Sequence, residues 1–235
     1  MKKILIYFLS AIMVFGFLCV NVEAKNENKK IIVIDPGHQK KGDNKKEPVG
    51  PGSKKMKSRC TTGTTGKYSG ILESEFTLDV SLKLKEELER RGYTVILTRD
   101  KQDVNLSNAE RAIIANKAKA DAFIRIHANG SENSKIKGAM TLCQTKNNPY
   151  NGKFYAKSRK LSECVLNKLS ENTKCKKRCI QETDTMSGIN WASVPVTIVE
   201  AGYMSNKEED LLMATDEYRQ KIVNGIADGI DEYFK

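Results

Sequence analysis

Histidine is scarce in this chain of 235 residues: there are two, His38 and His127. No His-Glu-x-x-His segment is present, which excludes the helix-borne zinc site of the common metalloproteases. Paired Cys-x-x-Cys units are also absent, so a structural zinc ribbon is excluded. Gly66-Lys67-Tyr68 lacks the Ser or Thr that follows the lysine of a phosphate-cradling loop. There is no internal repeat and no shift in composition that would mark a second domain. No helix-turn-helix, zinc-finger or aromatic RNA-binding signature accompanies the basic residues, so a nucleic-acid partner is not expected.

What is present starts with a leader. Lys2 and Lys3 precede an apolar run from Ile4 to Val20, and Val22-Glu23-Ala24 offers small residues where a signal peptidase cuts. Residues 1–24 therefore read as a signal peptide, the alternative being an uncleaved anchor. Cys19 is not a lipidation site, because Gly16-Phe17-Leu18 lacks the small residue a lipobox places before its cysteine. Residues 25–30 form a short polar linker, and 31–235 are enough for one catalytic domain with a substantial core. The expected product is secreted, free of the membrane once the signal is removed, and associated with the cell wall. The formal net charge is +11, and the leader accounts for about one unit of it (Lys2 and Lys3 less Glu23), which suits a wall rich in acidic polymer. Five cysteines remain outside the leader, an odd number that leaves at least one thiol unpaired within the chain. Cys175 and Cys179 are either a local disulfide or core thiols.

Strand and helix patterns alternate after the linker. Strands are expected over 31–35, 93–98, 122–127, 138–143 and 194–200, and helices over 72–91, 107–118, 154–171 and 216–234. Phe76, Val80, Leu84 and Leu88 form the buried stripe of the first helix, which Gly92 closes. Ser107 and Glu110 make a capping box for the second. The expected fold is α/β: a single domain with a mostly parallel, twisted sheet covered by helices on both faces. The long loop 36–70 reads as a flexible cleft rim, and the basic stretch before 194 as turns.

The chemistry gathers at strand ends, where open α/β sheets place their ligands. His38 follows the first strand, His127 ends Ala-Phe-Ile-Arg-Ile-His, and Glu200 ends Val-Pro-Val-Thr-Ile-Val-Glu. Two imidazoles and a carboxylate leave the open position that a catalytic zinc needs. Glu73, at the start of the first helix, is the expected third ligand; alternatively it only complements the helix dipole. Glu75 competes for that role, but about 200° separates the two around the helix, so only one can face the site. Glu200 reads as a general base, or else as a buried carboxylate paired with Arg125 or Arg99. Arg125 lies two residues before His127 on the same strand face, within reach of the site or of a carboxylate near it.

Asp35-Pro-Gly-His38, Gly70-Ile-Leu-Glu73, Thr98-Arg-Asp100, Arg111 through His127-Ala-Asn129, and Val199-Glu-Ala-Gly-Tyr-Met-Ser-Asn206 occur in this order. Together they resemble the zinc-dependent N-acetylmuramoyl-L-alanine amidases of the amidase 3 type over essentially 31–234. The resemblance implies one zinc ion held by His38, Glu73 and His127, with Glu200 as the catalytic carboxylate. It implies peptidoglycan as the substrate, cut between the lactyl group of N-acetylmuramic acid and L-alanine. Arg125 and Asn129 are expected to contact substrate. Arg125 departs from the family, which usually has a small residue there, and the 36–70 loop is longer than usual. No separate wall-binding module or inhibitory helix is recognisable, which leaves control to expression or to a protein regulator outside this chain.

Overall fold

The structure is a computed structural model and describes residues 29–235; the signal peptide expected over 1–24 and most of the linker lie outside them. Eight strands and six α-helices follow in chain order. They are β1 (Ile31–Pro36), β2 (Asp43–Pro48), β3 (Met56–Cys60), α1 (Glu73–Arg90), β4 (Thr94–Leu97), α2 (Asn108–Lys117) and β5 (Ala122–Asn129). Then come β6 (Ala139–Cys143), α3 (Tyr155–Thr173), β7 (Lys177–Glu182), α4 (Ser187–Asn190), β8 (Val196–Tyr203), α5 (Lys207–Met213) and α6 (Asp216–Phe234). Six strands form one sheet in the order β4-β1-β5-β8-β6-β7, with β2 and β3 as a separate hairpin. All neighbours in the large sheet are parallel except β6 and β8. The α/β fold with a mostly parallel sheet is as the sequence patterning implies.

Pleat alternation divides the core in two. Ile32, Ile34, Ile124, Ile126 and Val199 pack on one face against α1, α3 and α6. Val33, Phe123, Val196 and Ile198 pack on the other against α2 and α4. The expected stripe of α1 is buried along its length, and at its end Gly92 takes φ 94°, a left-handed position where a side chain would be strained. Ser107 caps α2, accepting from the Glu110 amide, while Glu110 accepts from the Ser107 amide. Among the described residues no helix is long and apolar enough to cross a membrane.

Three sequence expectations are corrected. The 36–70 loop does rim the cleft, but it is not without structure of its own: it contains the β2–β3 hairpin, which is fastened to the body. Arg59 bridges Asp43 and Glu110, the Trp191 indole donates to the Pro48 carbonyl, and the Asn190 amide donates to the Val49 carbonyl. The basic stretch before 194 contains β7, an edge strand rich in lysine and arginine, the composition that protects an edge from further pairing. Third, β8 runs three residues past Glu200 and β5 two past His127, because the two strands keep pairing through a register shift between His127 and Asn129. All five cysteines of the described chain are free thiols; Cys179 is exposed and Cys60 and Cys143 are buried.

Candidate metal centre

The three expected ligands come from three different elements and meet at one point. His127 lies on β5, His38 two residues beyond β1, and Glu73 is the first residue of α1. His38 Nε2 is 3.0 Å from Glu73 Oε1, His127 Nδ1 is 3.1 Å from the same oxygen, and the two ring nitrogens are 3.1 Å apart. Donors of a tetrahedral zinc bonded at about 2.0–2.1 Å are roughly 3.3 Å apart, so the triangle is nearly that of a bound ion. Two nitrogens and one carboxylate oxygen are also a recognised donor set of catalytic zinc, three protein ligands with one position open. Among the described residues this is the only group of three such side chains close enough to hold a metal ion.

The surroundings orient each donor. His38 Nδ1 donates to the Thr61 carbonyl at 2.8 Å, which leaves the Nε2 lone pair facing the site. The His38 backbone takes φ 61°, a strained conformation for a residue with a side chain, of the kind that functional sites sustain. Gly37 is required: a Cβ there would lie 2.6 Å from His127 Nε2. Glu73 is 4 % exposed, with Oε2 accepting from the Thr64 amide and Oε1 from the Ala128 amide. Burial would raise its pKa, but the hydrogen bonds to His127 and His38 hold it well below the usual carboxylate range. Burial lowers His127, against the pull of Glu73, and so keeps its imidazole neutral as a ligand must be.

Glu75 points elsewhere, as an exposed side chain that accepts from the Leu72 amide at 3.4 Å. Glu73→Ala should strip bound zinc and activity, while Glu75→Ala keeps both; elemental analysis of the two purified variants checks it, and the reverse result would reassign the ligand.

Glu200 pairs with His127 in the strand register and stands beside the donors without joining them. Its Oε2 is sealed from solvent with no hydrogen-bond partner among the described residues. Burial and the nearby Glu73 carboxylate, only partly offset by Arg125, push its pKa up to about 8. It is not the paired carboxylate of the alternative reading. Arg125 is instead 3 % exposed and bonded to Asp35 and Asn108, and Arg99 donates to backbone carbonyls. Asn129 lines the cleft, with its Oδ1 taken by the Gly130 amide at 2.8 Å.

A cleft of about 380 Å3 opens over these residues, bounded by the hairpin, the 61–64 segment, Asn129 and the turn at Met186–Gly188. Sequence reasoning missed the Thr61–Thr64 segment. Thr61 and Thr64 hold two of the ligands, and Gly63, at φ 88°, lies where a Cβ would be 2.9 Å from both Glu73 Oε2 and the His38 ring. The signal was there as Thr-Thr-Gly-Thr-Thr, small residues that let backbone approach closely.

Known proteins share this sequence pattern and fold. LytC of Bacillus subtilis, an N-acetylmuramoyl-L-alanine amidase, is 27% identical over 221 residues, covering 92% of this chain. That match spans only 39% of LytC's own length. The germination-specific N-acetylmuramoyl-L-alanine amidase of the same organism is 28% identical over 222 residues, 87% of this chain and 80% of its own. The crystal structure of the amidase Ami1 from Mycobacterium smegmatis superposes with a TM-score of 0.78 at 26% identity, covering 87% of this chain and 96% of that one. The family model described as N-acetylmuramoyl-L-alanine amidase matches residues 32–232, and the chain belongs to that family.

Proposed function

We propose that this protein hydrolyses the amide between the lactyl group of N-acetylmuramic acid and the L-alanine of the stem peptide, using one zinc ion held by His38, Glu73 and His127. The observation that carries the reading is the meeting of three donor atoms within 3.1 Å of one another beside a carboxylate with one oxygen that has no hydrogen-bond partner among the described residues. When bound, zinc at such a donor set lowers the pKa of a water to roughly 7 and polarises an adjacent carbonyl. The chain's own residues do the rest. Glu200, with an unpartnered carboxylate oxygen beside the donors, is the group placed to serve both halves of the reaction. It takes the proton of the attacking water and returns it to the nitrogen of the departing alanine. Thr61 keeps the His38 ring turned, and the neutral His127 needs no deprotonation before it can bind a metal.

The residues that precede the domain support a place of action outside the cell, as a secreted enzyme working on the wall. Peptidoglycan treated with the protein should release stem peptides whose new N-terminus is L-alanine. Exhaustive chelation should abolish that release, and added zinc should restore it. Mass spectrometry of the digest distinguishes the outcomes: fragments cut within the peptide would indicate a peptidase, and loss of acetyl groups alone a deacetylase. Full release after chelation would sink the metal requirement.

A further inference from the structure

Arg125 has an uncommitted donor at the floor of the cleft. Its Nε donates to Asp35 Oδ2 at 2.8 Å and its Nη2 to Asn108 Oδ1 at 2.7 Å, but its Nη1 donates to no group among the described residues. The side chain is only 4% exposed, and it belongs to the cleft lining together with Asn108, Ser187, Gly188 and Glu200. Nη1 sits in the notch that Gly188 leaves by having no side chain, since a Cβ there would be 1.6 Å away. A guanidinium nitrogen left without a protein acceptor at the lining of a binding cleft is open to an acceptor on a ligand.

The charge around it is also unbalanced. Asp35 is shared: its Oδ1 accepts from Arg111 and its Oδ2 from Arg125, so one carboxylate faces two guanidiniums. Arg111 has no capacity left, its remaining donors being spent on the carbonyls of Pro36, His38 and Leu106 and on Gln39. The surplus positive charge is therefore Arg125's, and it faces the cleft. Lys57, another part of the lining, adds a second cation on the hairpin side. Glu73 and Glu200 belong to the same lining.

We infer that Arg125 is a specificity-determining residue which binds a free carboxylate of the stem peptide, close to the scissile amide on its peptide side. The inference rests on the amidase reading and adds to it the class of peptide: one whose residue next to the alanine carries a carboxylate and not a carboxamide. Nη1 can donate to a carboxylate or to a carboxamide oxygen, but only the carboxylate makes the bond charge-assisted from both sides and balances the guanidinium charge.

The test uses two soluble N-acetylmuramoyl peptides that differ only in that group, free carboxylate or primary amide, with the full zinc-loaded enzyme. The wild type should favour the carboxylate form by about 10- to 100-fold in kcat/KM, chiefly through KM. In Arg125→Gln the ratio between the substrates should collapse toward one, and Arg125→Lys should recover part of it. Asp35 keeps Arg111 and Thr98 as partners in both variants, and thermal melts verify that they fold. A wild-type enzyme without preference overturns the inference, as does a variant slowed equally on both substrates with its ratio intact. If the wild type cleaves neither substrate nor peptidoglycan itself at the lactyl amide, it is the amidase reading that fails.

Discussion

Glu200→Gln should slow turnover by about 100- to 10,000-fold, the range typical for loss of a positioned general base, while zinc content stays that of the wild type. The geometry separates these two outcomes. Glu200 is not part of the donor triangle, and its unpartnered Oε2 has nothing to hold it except the proton it is to carry. Folding should not suffer. The Glu200 carboxyl lies at about 8 in the folded protein, above its ordinary value of 4.5. A carboxyl raised in this way favours the protonated form on folding, so ionising it costs stability as pH rises from 4.5 toward 8. Glutamine removes that cost, and the metal-free variant should melt no lower than the metal-free wild type at neutral pH. Parallel measurement of release rate, metal content and melting temperature checks all three. A variant that lost its zinc would move Glu200 into the coordination sphere, and one that kept its rate would end its role as the base.

Much of this site could be read from residue order, for reasons that lie in strand geometry. His127 and Glu200 belong to apolar runs of the kind that parallel strands buried on both faces produce, and those strands end at the ligand edge of the sheet. Glu73 was legible because it shares the helical phase of Phe76, Val80, Leu84 and Leu88, and all five are buried. The hairpin and the Thr61–Thr64 segment were not legible. β2 reads Asp-Asn-Lys-Lys-Glu-Pro, almost wholly polar, and its order derives from distant partners such as the Ala109 amide, which donates to Glu47, and the Trp191 indole, which donates to Pro48. The 66–70 turn is similarly fixed from afar, by Asp210 of α5 accepting from the Tyr68 and Ser69 amides. No local pattern announces a partner 141 residues away. β7 was hidden for another reason: its side chains are almost all exposed, so it has no apolar face to reveal its period. Arg125 could be placed on the correct face by alternation, but its attachment to Asp35 depends on the β1–β5 register, which pairs the two residues directly.

Asp35→Asn should be the most damaging single change to stability, at about 3–5 kcal/mol, the usual cost of breaking a buried ion pair from one side. Asp35 and Arg111 are both 0 % exposed, and Arg125 is 3 %. An asparagine fills the same space but leaves two guanidiniums with no anion between them. Arg111 holds the carbonyls of Pro36 and His38, the turn that sets His38 in its left-handed conformation. Damage should therefore reach the metal centre as weaker zinc retention. The melting temperature should fall by roughly 6–20 °C for a chain of this size. Burial would raise the Asp35 carboxyl, but Arg111, Arg125 and Thr98 hold it far below the usual carboxylate range. A carboxyl depressed on folding contributes stability that is fully present above its unfolded value, near 3.8, and is lost as pH falls toward the folded one. The gap between wild type and Asp35→Asn should consequently be widest at neutral pH and shrink below about pH 4, where the wild type sheds what the variant has already lost. Denaturant melts across that interval measure it. A gap under about 1 kcal/mol at pH 7 would mean that the carbonyls around Arg111 suffice to hold it, and that the doubly bridged carboxylate is not what fixes His38.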